Sequence, residues 1–247
     1  MKPKGYIVFH LNLAFSSIEE NARADVIKNC YHSLLNLIEQ TGIPIGIELT
    51  GWTLKQIERI DITWIERFKI LLSTGKCELI GSGYCQIIGP LVPYKVNEWN
   101  QKLGIETYKE ILGCRPNIIL VNEMAFSSSL VDLYSSFGYT GLIMDRDNVR
   151  LALGLENLPM NLVPTHAKGP SGAVLPVLWS DSILFQKVQH FAHGDIAIND
   201  YLDCLNNRIN NGETLFPIYT NDAEVFDYRP GRFSTERPTH PDGEWNR

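Results

Sequence analysis

Residues 117–127 read NIILVNEMAFS, an apolar run that an acidic residue interrupts. Residues 118–121 predict a buried strand, because four apolar residues, three of them β-branched, lie between Pro116 and a serine cluster. Glu123 therefore lies at the carboxyl end of this strand. In parallel α/β proteins chemistry collects at that end of the strands, and a carboxylate there needs a partner or a task. A strand-end Glu that only caps a helix or forms a salt bridge is the alternative interpretation.

Length and composition narrow the class of protein. The chain has 247 residues, 44% of them hydrophobic, which is enough for one large core. Its formal net charge is -6 and it has no basic run, so we expect no nucleic-acid surface. It shows no apolar segment of membrane-spanning length and no signal-peptide pattern, so we expect a cytoplasmic protein. Five cysteines without metal-type spacing argue against disulfides and zinc, and we expect neither a cofactor nor a metal.

Strands and helices alternate along the whole chain. The predicted strands are 6–9, 43–49, 77–80, 118–121, 140–144, 174–179 and 214–219, with 183–185 as a further extended piece. Amphipathic helices lie between them, with Thr53 and Asp61 as predicted caps, and 151–172 is a predicted long loop. This alternation, with polar residues after the strands, predicts an α/β fold: a parallel (β/α)7 barrel, a distorted TIM-like architecture.

A second acid, Asp222, follows the last predicted strand. If the barrel closes, Glu123 and Asp222 share one rim, and two facing carboxylates are the usual apparatus for cleaving a glycosidic bond. A separation of roughly 5 to 5.5 Å favours retention, and roughly 6.5 to 9.5 Å favours inversion. Aromatic side chains near the rim suit stacking on sugars or core packing; they are Trp52, Tyr84, Phe126, Trp179 and Tyr228. Arg229 and Arg232 could keep the acids ionised or be surface charges.

Four stretches, in order, resemble the catalytic domain of glycoside hydrolase family 57. Residues 9–12, FHLN, are similar to its His-x-His-Gln-Pro motif, and 77–93 are similar to its second motif. Residues 121–123, VNE, resemble the strand that carries the nucleophile. Residues 221–226, NDAEVF, resemble the Asp-Gly-Glu-x-Phe motif that carries the acid/base.

The resemblance implies an enzyme that cleaves or transfers α-glycosidic links, mostly in α-glucans, on a (β/α)7 barrel. It makes Glu123 the nucleophile, Asp222 the general acid/base and His10 a ligand of a sugar hydroxyl. The other predicted substrate-binding residues are Asn12, Trp52, Tyr84, Gln86, Asp145 and Trp179. We expect an oligo- or polysaccharide as partner, and the oligomeric state stays open.

The chain departs from the family pattern where the sugar would be recognised. Asn12 replaces the second histidine, Gln86 stands where many members have Glu, and Ala223 replaces a glycine. The family usually continues into a helical C-terminal region. We therefore expect one barrel domain, 1–247, that is either truncated or a short member.

Two other functions compete with the retaining glycosidase or transglycosidase. One is a polysaccharide deacetylase, in which a metal held by Asp and two His activates water, with His190, His193 and Asp195 as the ligands. The other is a sugar-binding or assembly protein that keeps the barrel without turnover. The altered first motif favours that function, and retention of both acids opposes it.

Overall fold

The computed structural model describes residues 3–152, 154, 164–228 and 243–247. The strands are β1 Lys4–Leu11, β2 Ile45–Leu49, β3 Cys77–Gly81, β4 Ile118–Leu120, β5 Gly141–Asp145, β6 His166–Lys168, β7 Val174–Ser180 and β8 Leu215–Asp222. The helices are α1 Arg23–Val26, α2 His32–Thr41, α3 Gly51–Ile60, α4 Ile62–Ser73, α5 Tyr94–Leu112, α6 Ser128–Ser136, α7 Arg146–Ala152, α8 Ser182–His193 and α9 Ile198–Asn210. A short π-helix, Ile27–Tyr31, joins α1 to α2.

The strands form one mostly parallel sheet in the order β6-β7-β5-β4-β3-β2-β1-β8. Every paired neighbour is parallel except β6 and β7, which form an antiparallel hairpin. At the two ends of the parallel set, β7 and β8 approach each other. The Ser180 and Thr220 hydroxyls lie 2.5 Å apart, and the Tyr6 hydroxyl donates to the Trp179 carbonyl. The predicted α/β fold with seven parallel strands is confirmed.

Alternation along the strands separates two environments. Outward side chains such as Phe9 and Ile47 pack under the helices in the main core. A smaller cluster, the apolar layer, takes one side chain from each of several strands; it contains Val8, Ile80, Leu120, Ile143 and Leu178. Gly46 belongs to it, since a Cβ there would lie 3.0 Å from Val8 and 3.3 Å from Ile80.

Two residues after each of these positions, within the strand or just past its end, the side chain is polar. We call this set the polar layer; its members are His10, Glu48, Ser82, Asn122, Asp145 and Ser180. All six are buried. Because side chains two apart share a face of a strand, the polar layer lies directly above the apolar layer, toward the carboxyl ends of the strands.

Most predicted elements are present, with two local errors. Residues 183–185 are helical, because the Asp181 side chain accepts a hydrogen bond from the Leu184 amide and starts α8. Helix α3 is capped by Thr50, which accepts from the Thr53 amide, so Thr53 is not the cap. Asp61 caps α4 as predicted. The predicted loop 151–172 lies mostly outside the described residues.

None of the helices in the described ranges has both the length and the hydrophobicity that crossing a bilayer requires.

Candidate active site

A cavity of about 520 Å³ opens at the carboxyl ends of the parallel strands. Six of the residues predicted to bind or react with substrate line it: His10, Asn12, Gln86, Glu123, Asp145 and Asp222. Polar and apolar groups from the starts of α7 and α8 add to the lining, among them Asp147, Ser182 and Phe185. The fold therefore brings together acids that are 99 positions apart in the sequence.

Glu123 is presented by an unusual turn. It follows β4 in a short 3-10 turn, Asn122–Met124, in which Glu123 has φ 54° and Met124 φ 52°. Left-handed backbone costs a residue with a side chain of order 1–3 kcal/mol and persists only where neighbours hold it. Asn122 supplies one anchor, since its amide nitrogen donates to the Ser82 carbonyl at 3.0 Å and its oxygen accepts from the Ser82 hydroxyl at 2.7 Å. The exposed Glu123 side chain thus projects from a buried support.

A chain of hydrogen bonds runs from Glu123 across the mouth of the cavity. Gln86 donates its side-chain amide to Glu123 Oε1 at 2.7 Å, and Asn12 Nδ2 donates to Gln86 Oε1 at 2.6 Å. The Asn12 backbone amide donates to Glu224 Oε1 at 2.7 Å, and the Tyr31 hydroxyl donates to the same oxygen. Two residues that depart from the family motifs, Asn12 and Gln86, therefore bind each other and fix one oxygen of Glu123.

The second acid has a different environment. Asp222 ends β8, beside His10 in the strand register, with 4.0 Å between His10 Nδ1 and Asp222 Oδ1. Burial, and then the negative charge of Glu123, raise the pKa of Asp222 to about 6. Burial lowers the pKa of His10 to about 4, so the imidazole is neutral at pH 7. The site thus holds a carboxyl that stays protonated to higher pH than an ordinary aspartate.

Glu224 lies behind Asp222 and is 2% exposed. Burial, followed by the charge of Asp222, raises its pKa to about 7, although the bonds from Tyr31 and Asn12 favour the charged form. Its contacts join the β8 end to the loop after β1. Glu224 therefore holds the end of β8, which carries Asp222, against the loop after β1.

The aromatic residues predicted from the sequence lie outside the cavity lining. Trp52 packs against the main core with the Arg23 guanidinium 5.0 Å from its ring centre, and Tyr84 has the Lys55 ammonium 6.0 Å from its ring centre. Trp179 donates from Nε1 to the Pro164 carbonyl at 2.7 Å, because alternation turns it to the outer face of β7. Phe126 and Tyr228 are also absent from the lining, where Phe15 and Phe185 lie instead. Arg229 and Arg232 are outside the described residues.

Of the three residues considered as metal ligands, His190 and Asp195 contact each other, and His193 contacts other residues. His190 Nδ1 lies 3.1 Å from Asp195, whereas His193 Nε2 lies 3.3 Å from the Val225 carbonyl and 3.8 Å from Glu244. Both histidines belong to the last turn of α8 rather than to a strand end. In the part of the chain that the structure describes, no three His, Cys, Asp or Glu side chains gather as a metal site.

The sequence matches the model of one known protein family. Residues 6–235 match Glycosyl hydrolase family 57. The chain belongs to this family. The match covers all four stretches that resembled the motifs of glycosyl hydrolase family 57, from the His10 strand to Asp222. No curated protein matches the chain by sequence.

Several solved structures of enzymes share the fold. The 4-alpha-glucanotransferase from Thermococcus litoralis superposes with a TM-score of 0.75 at 14% identity, over 91% of this chain and 34% of that one. A family 57-type branching enzyme from Pyrococcus horikoshii gives 0.65 at 13% identity, over 93% and 65%. The alpha-amylase AmyC from Thermotoga maritima gives 0.62 at 13% identity, over 92% and 68%. The chain thus spans about a third of the first enzyme and just under two thirds of the second.

Sequence reasoning missed the buried acid Glu48 and the support given by Ser82 and Asn122. Glu48 carried the same signal that drew attention to Glu123, since it interrupts the apolar strand IGIEL. It lies within the strand rather than beyond its end, so only the register with His10 shows that it belongs to the site.

Proposed function

We propose that this protein is a retaining glycosidase or transglycosidase that acts on α-linked glucans, with Glu123 as nucleophile and Asp222 as general acid/base. The observation that supports it is the shared cavity, in which one acid is exposed and held by Gln86, while burial and the charge of that acid raise the pKa of the other. Two carboxyls with different pKa values, so that one can be ionised while the other is protonated, are typical of enzymes that cleave glycosidic bonds.

In the first step the Glu123 carboxylate attacks the anomeric carbon and forms a glycosyl ester. At the same time the protonated Asp222 donates its proton to the leaving oxygen, so the departing sugar leaves as an alcohol. The hydrogen bond from Gln86 occupies Oε1 of Glu123 and leaves the other carboxylate oxygen for the attack.

In the second step Asp222, now a carboxylate, removes a proton from water or from a sugar hydroxyl. The oxygen so activated attacks the anomeric carbon and releases Glu123, which gives hydrolysis or transfer with net retention. The neutral imidazole of His10 and the amides of Asn12 and Gln86 are suited to bind sugar hydroxyls, because they donate and accept without charge.

A mechanism-based trap tests the reaction class and the nucleophile together. The protein is incubated with fluorinated α-glucosyl fluorides, digested, and the labelled peptide is mapped. We expect one glycosyl adduct on Glu123, and no adduct in Glu123→Gln. The exposed Glu106 on α5 gives a matched control, since Glu106→Gln should label like wild type.

The stereochemical outcome is read by NMR on a panel of α-linked oligosaccharides. An initial product of α configuration supports retention. A β product, or full wild-type turnover by Glu123→Gln, would contradict the proposal. Tight ligand binding without turnover on any substrate would favour the non-catalytic alternative.

A further inference from the structure

Asn12, the first residue after β1, is held in place by three hydrogen bonds. Its backbone amide donates to Glu224 Oε1 at 2.7 Å, and its carbonyl accepts from the Phe15 amide at 3.3 Å. Its side-chain oxygen accepts from the Ala14 amide at 3.0 Å, so the loop turns around this side chain. The Tyr31 hydroxyl donates to the same oxygen of Glu224. The loop itself therefore determines where the Asn12 side chain lies.

These bonds give the Asn12 side-chain amide a single direction. A backbone N–H can only donate, so the Ala14 amide requires the oxygen of the Asn12 side chain. The nitrogen then points the other way and donates to Gln86 Oε1 at 2.6 Å. Because its oxygen is occupied in this way, Gln86 presents its nitrogen to Glu123 Oε1, at 2.7 Å. The donor at Ala14 thus decides, through two amides, that a donor also faces the carboxylate.

We propose that Asn12 is a positioning residue for the nucleophile: it fixes the direction of the Gln86 amide, so that a donor and not an acceptor faces Glu123. We call the linked groups, from the Ala14 amide through Asn12 and Gln86 to Glu123, the amide chain. A hydrogen bond donated to a carboxylate favours its charged form, which is the form that attacks. The catalytic part of this inference rests on the proposed function, whereas the direction of the amide chain is a property of the fold.

Gln86 alone would not keep this direction. The two ends of a glutamine amide have almost the same shape, and Gln86 is exposed, so water could satisfy it either way round. If the amide turned over, its oxygen would face Glu123 Oε1, where the nitrogen now lies at 2.7 Å. Two acceptors this close repel each other unless a proton lies between them, and that proton would block the attack.

The two departures from the family motifs are connected by the amide chain. A carboxylate accepts at both of its oxygens, so a glutamate at position 86 could not pass a donor on to Glu123. An asparagine at position 12 supplies both the acceptor for Ala14 and the donor for Gln86. Each amide nitrogen has two protons and the amide chain uses one of them, which leaves the second for a sugar hydroxyl.

Asn12→Asp tests the direction, because it exchanges the donor of residue 12 for an acceptor with almost no change in shape. The new carboxylate keeps one oxygen for the Ala14 amide, and its second oxygen should draw the nitrogen of Gln86 away from Glu123. Asn12→Ala removes the side chain and leaves Gln86 able to donate to Glu123. The larger loss of activity is therefore expected from the more conservative substitution.

The kinetic measurement is the rate constant for labelling of Glu123 by a fluorinated α-glucosyl fluoride, because fluoride leaves with little help from Asp222. We expect Asn12→Ala to label within about fivefold of wild type and Asn12→Asp to label about tenfold more slowly than Asn12→Ala. The control Asn206→Asp, at an exposed position of α9, should label like wild type. If Asn12 served only the turn or the sugar, the order would be reversed, because alanine loses both side-chain bonds and aspartate loses one.

A double-mutant cycle separates the direction of the amide from the added charge. Gln86→Met has a similar shape and no amide to orient, so it should itself slow labelling by about tenfold. In this background Asn12→Asp and Asn12→Ala should differ by less than about threefold. A negative charge that acted on Glu123 directly would keep the tenfold difference, and that result would overturn the inference.

A second readout needs no activity. The side-chain amide of Gln86 gives a pair of proton–nitrogen NMR signals, which Gln86→Met assigns by their loss. We expect these signals to shift when Glu123→Gln is introduced into wild type, because the bond to a charged group has gone. In Asn12→Asp the same substitution should leave them nearly unchanged, because the Gln86 nitrogen then faces residue 12.

The outcomes distinguish this inference from the proposed function. If neither labelling nor turnover occurs but the signals respond as expected, the proposed function fails and the direction of the amide chain stands. An Asn12→Asp protein that labels as fast as Asn12→Ala would overturn the inference. Signals that respond equally to Glu123→Gln in wild type and in Asn12→Asp would overturn it as well.

Discussion

The two acids of the cavity differ in how their protons are held, and Asp222 gives the clearest expected pH effect. Its pKa is raised to about 6, so with ordinary glycosides kcat/KM should fall as the pH rises through that value, because the acid form must protonate the leaving oxygen. In Asp222→Asn this fall should vanish, and turnover of ordinary glycosides should drop about 10²–10⁴-fold, while activated aryl glycosides lose far less in the first step. The exposed Asp203→Asn is the control.

Gln86 and Glu123 form a neutral–charged pair that a single substitution would alter. Gln86→Glu would place a second carboxylate beside Glu123 Oε1, now 2.7 Å from the amide nitrogen. Two carboxyls at this distance share a proton, which blocks attack. We expect kcat/KM near pH 6 to be about tenfold below that of wild type, and this difference from wild type to shrink as the pH rises and the shared proton leaves. Equal pH profiles for Gln86→Glu and for the exposed control Gln40→Glu would show that the pair does not set the nucleophile.

At the scale of single residues, the sequence identifies acids that follow an apolar strand, such as Glu123 and Asp222, as candidate site residues. It does not predict contacts that depend on register. Asn12 and Gln86 are 74 positions apart, and their bond exists because β1 and β3 end at the same rim. Trp179 shows the converse error, since proximity to a strand end says nothing about which face the side chain takes.

Among the elements, α5 sets the position of the loop that carries Gln86. Gly104 of α5 lies against Gly83, so that a Cβ at Gly104 would lie 2.5 Å from the Gly83 carbonyl carbon. Gly104→Ala must therefore push the helix and the loop apart, because the new methyl group would meet backbone atoms, which cannot move aside as a flexible side chain can. We expect a loss of about 1–3 kcal/mol in the free energy of unfolding, measured with denaturant, together with lower kcat. Glu106→Ala on the exposed face of the same helix should change stability by less than about 0.5 kcal/mol.

Element types followed from hydrophobic periodicity and from glycine stops. Gly42 and Gly113 end α2 and α5 in left-handed conformations, as their positions predicted. The helical segment 183–185 could not be recognised from its three apolar residues, because a short apolar run fits either a strand or a buried helix. Its Asp181 cap also receives Arg146 and Arg208, two contacts that only the folded chain provides.

In the whole molecule, the stacked apolar and polar layers arise because side chains alternate between the two faces of each strand and neighbouring parallel strands are in matched register. The sequence predicted parallel strands in a barrel, because strands alternate with helices and polar residues gather directly after the strands. It could not predict that β7 and β8 meet through the hydroxyls of Ser180 and Thr220, since that contact depends on the tilt and stagger of all the strands together.

Two buried acids, Glu48 of the polar layer and Glu224 behind Asp222, should also set the pH dependence of stability. Glu48 and Glu224 have pKa values raised from 4.5 to about 8 and about 7, so between pH 6.5 and 8.5 both are ionised in the unfolded chain but must lose protons while buried in the folded one. Their stabilisation is complete below the unfolded value and is lost as the pH rises through the folded values. Of the groups with lowered pKa values, Asp61 acts outside this window, and His10, half protonated at pH 6.5 in the unfolded chain, adds back only about 0.4 kcal/mol above that pH.

Denaturant unfolding should therefore show the free energy falling by about 2–3 kcal/mol from pH 6.5 to 8.5, on the basis of about 1.4 kcal/mol per pKa unit. Glu48→Gln should remove most of this fall, since the amide cannot ionise, and the exposed Glu78→Gln should keep it. A free energy that is constant or rises across this range would mean that Glu48 is already charged in the folded protein, and that burial does not raise its pKa as expected.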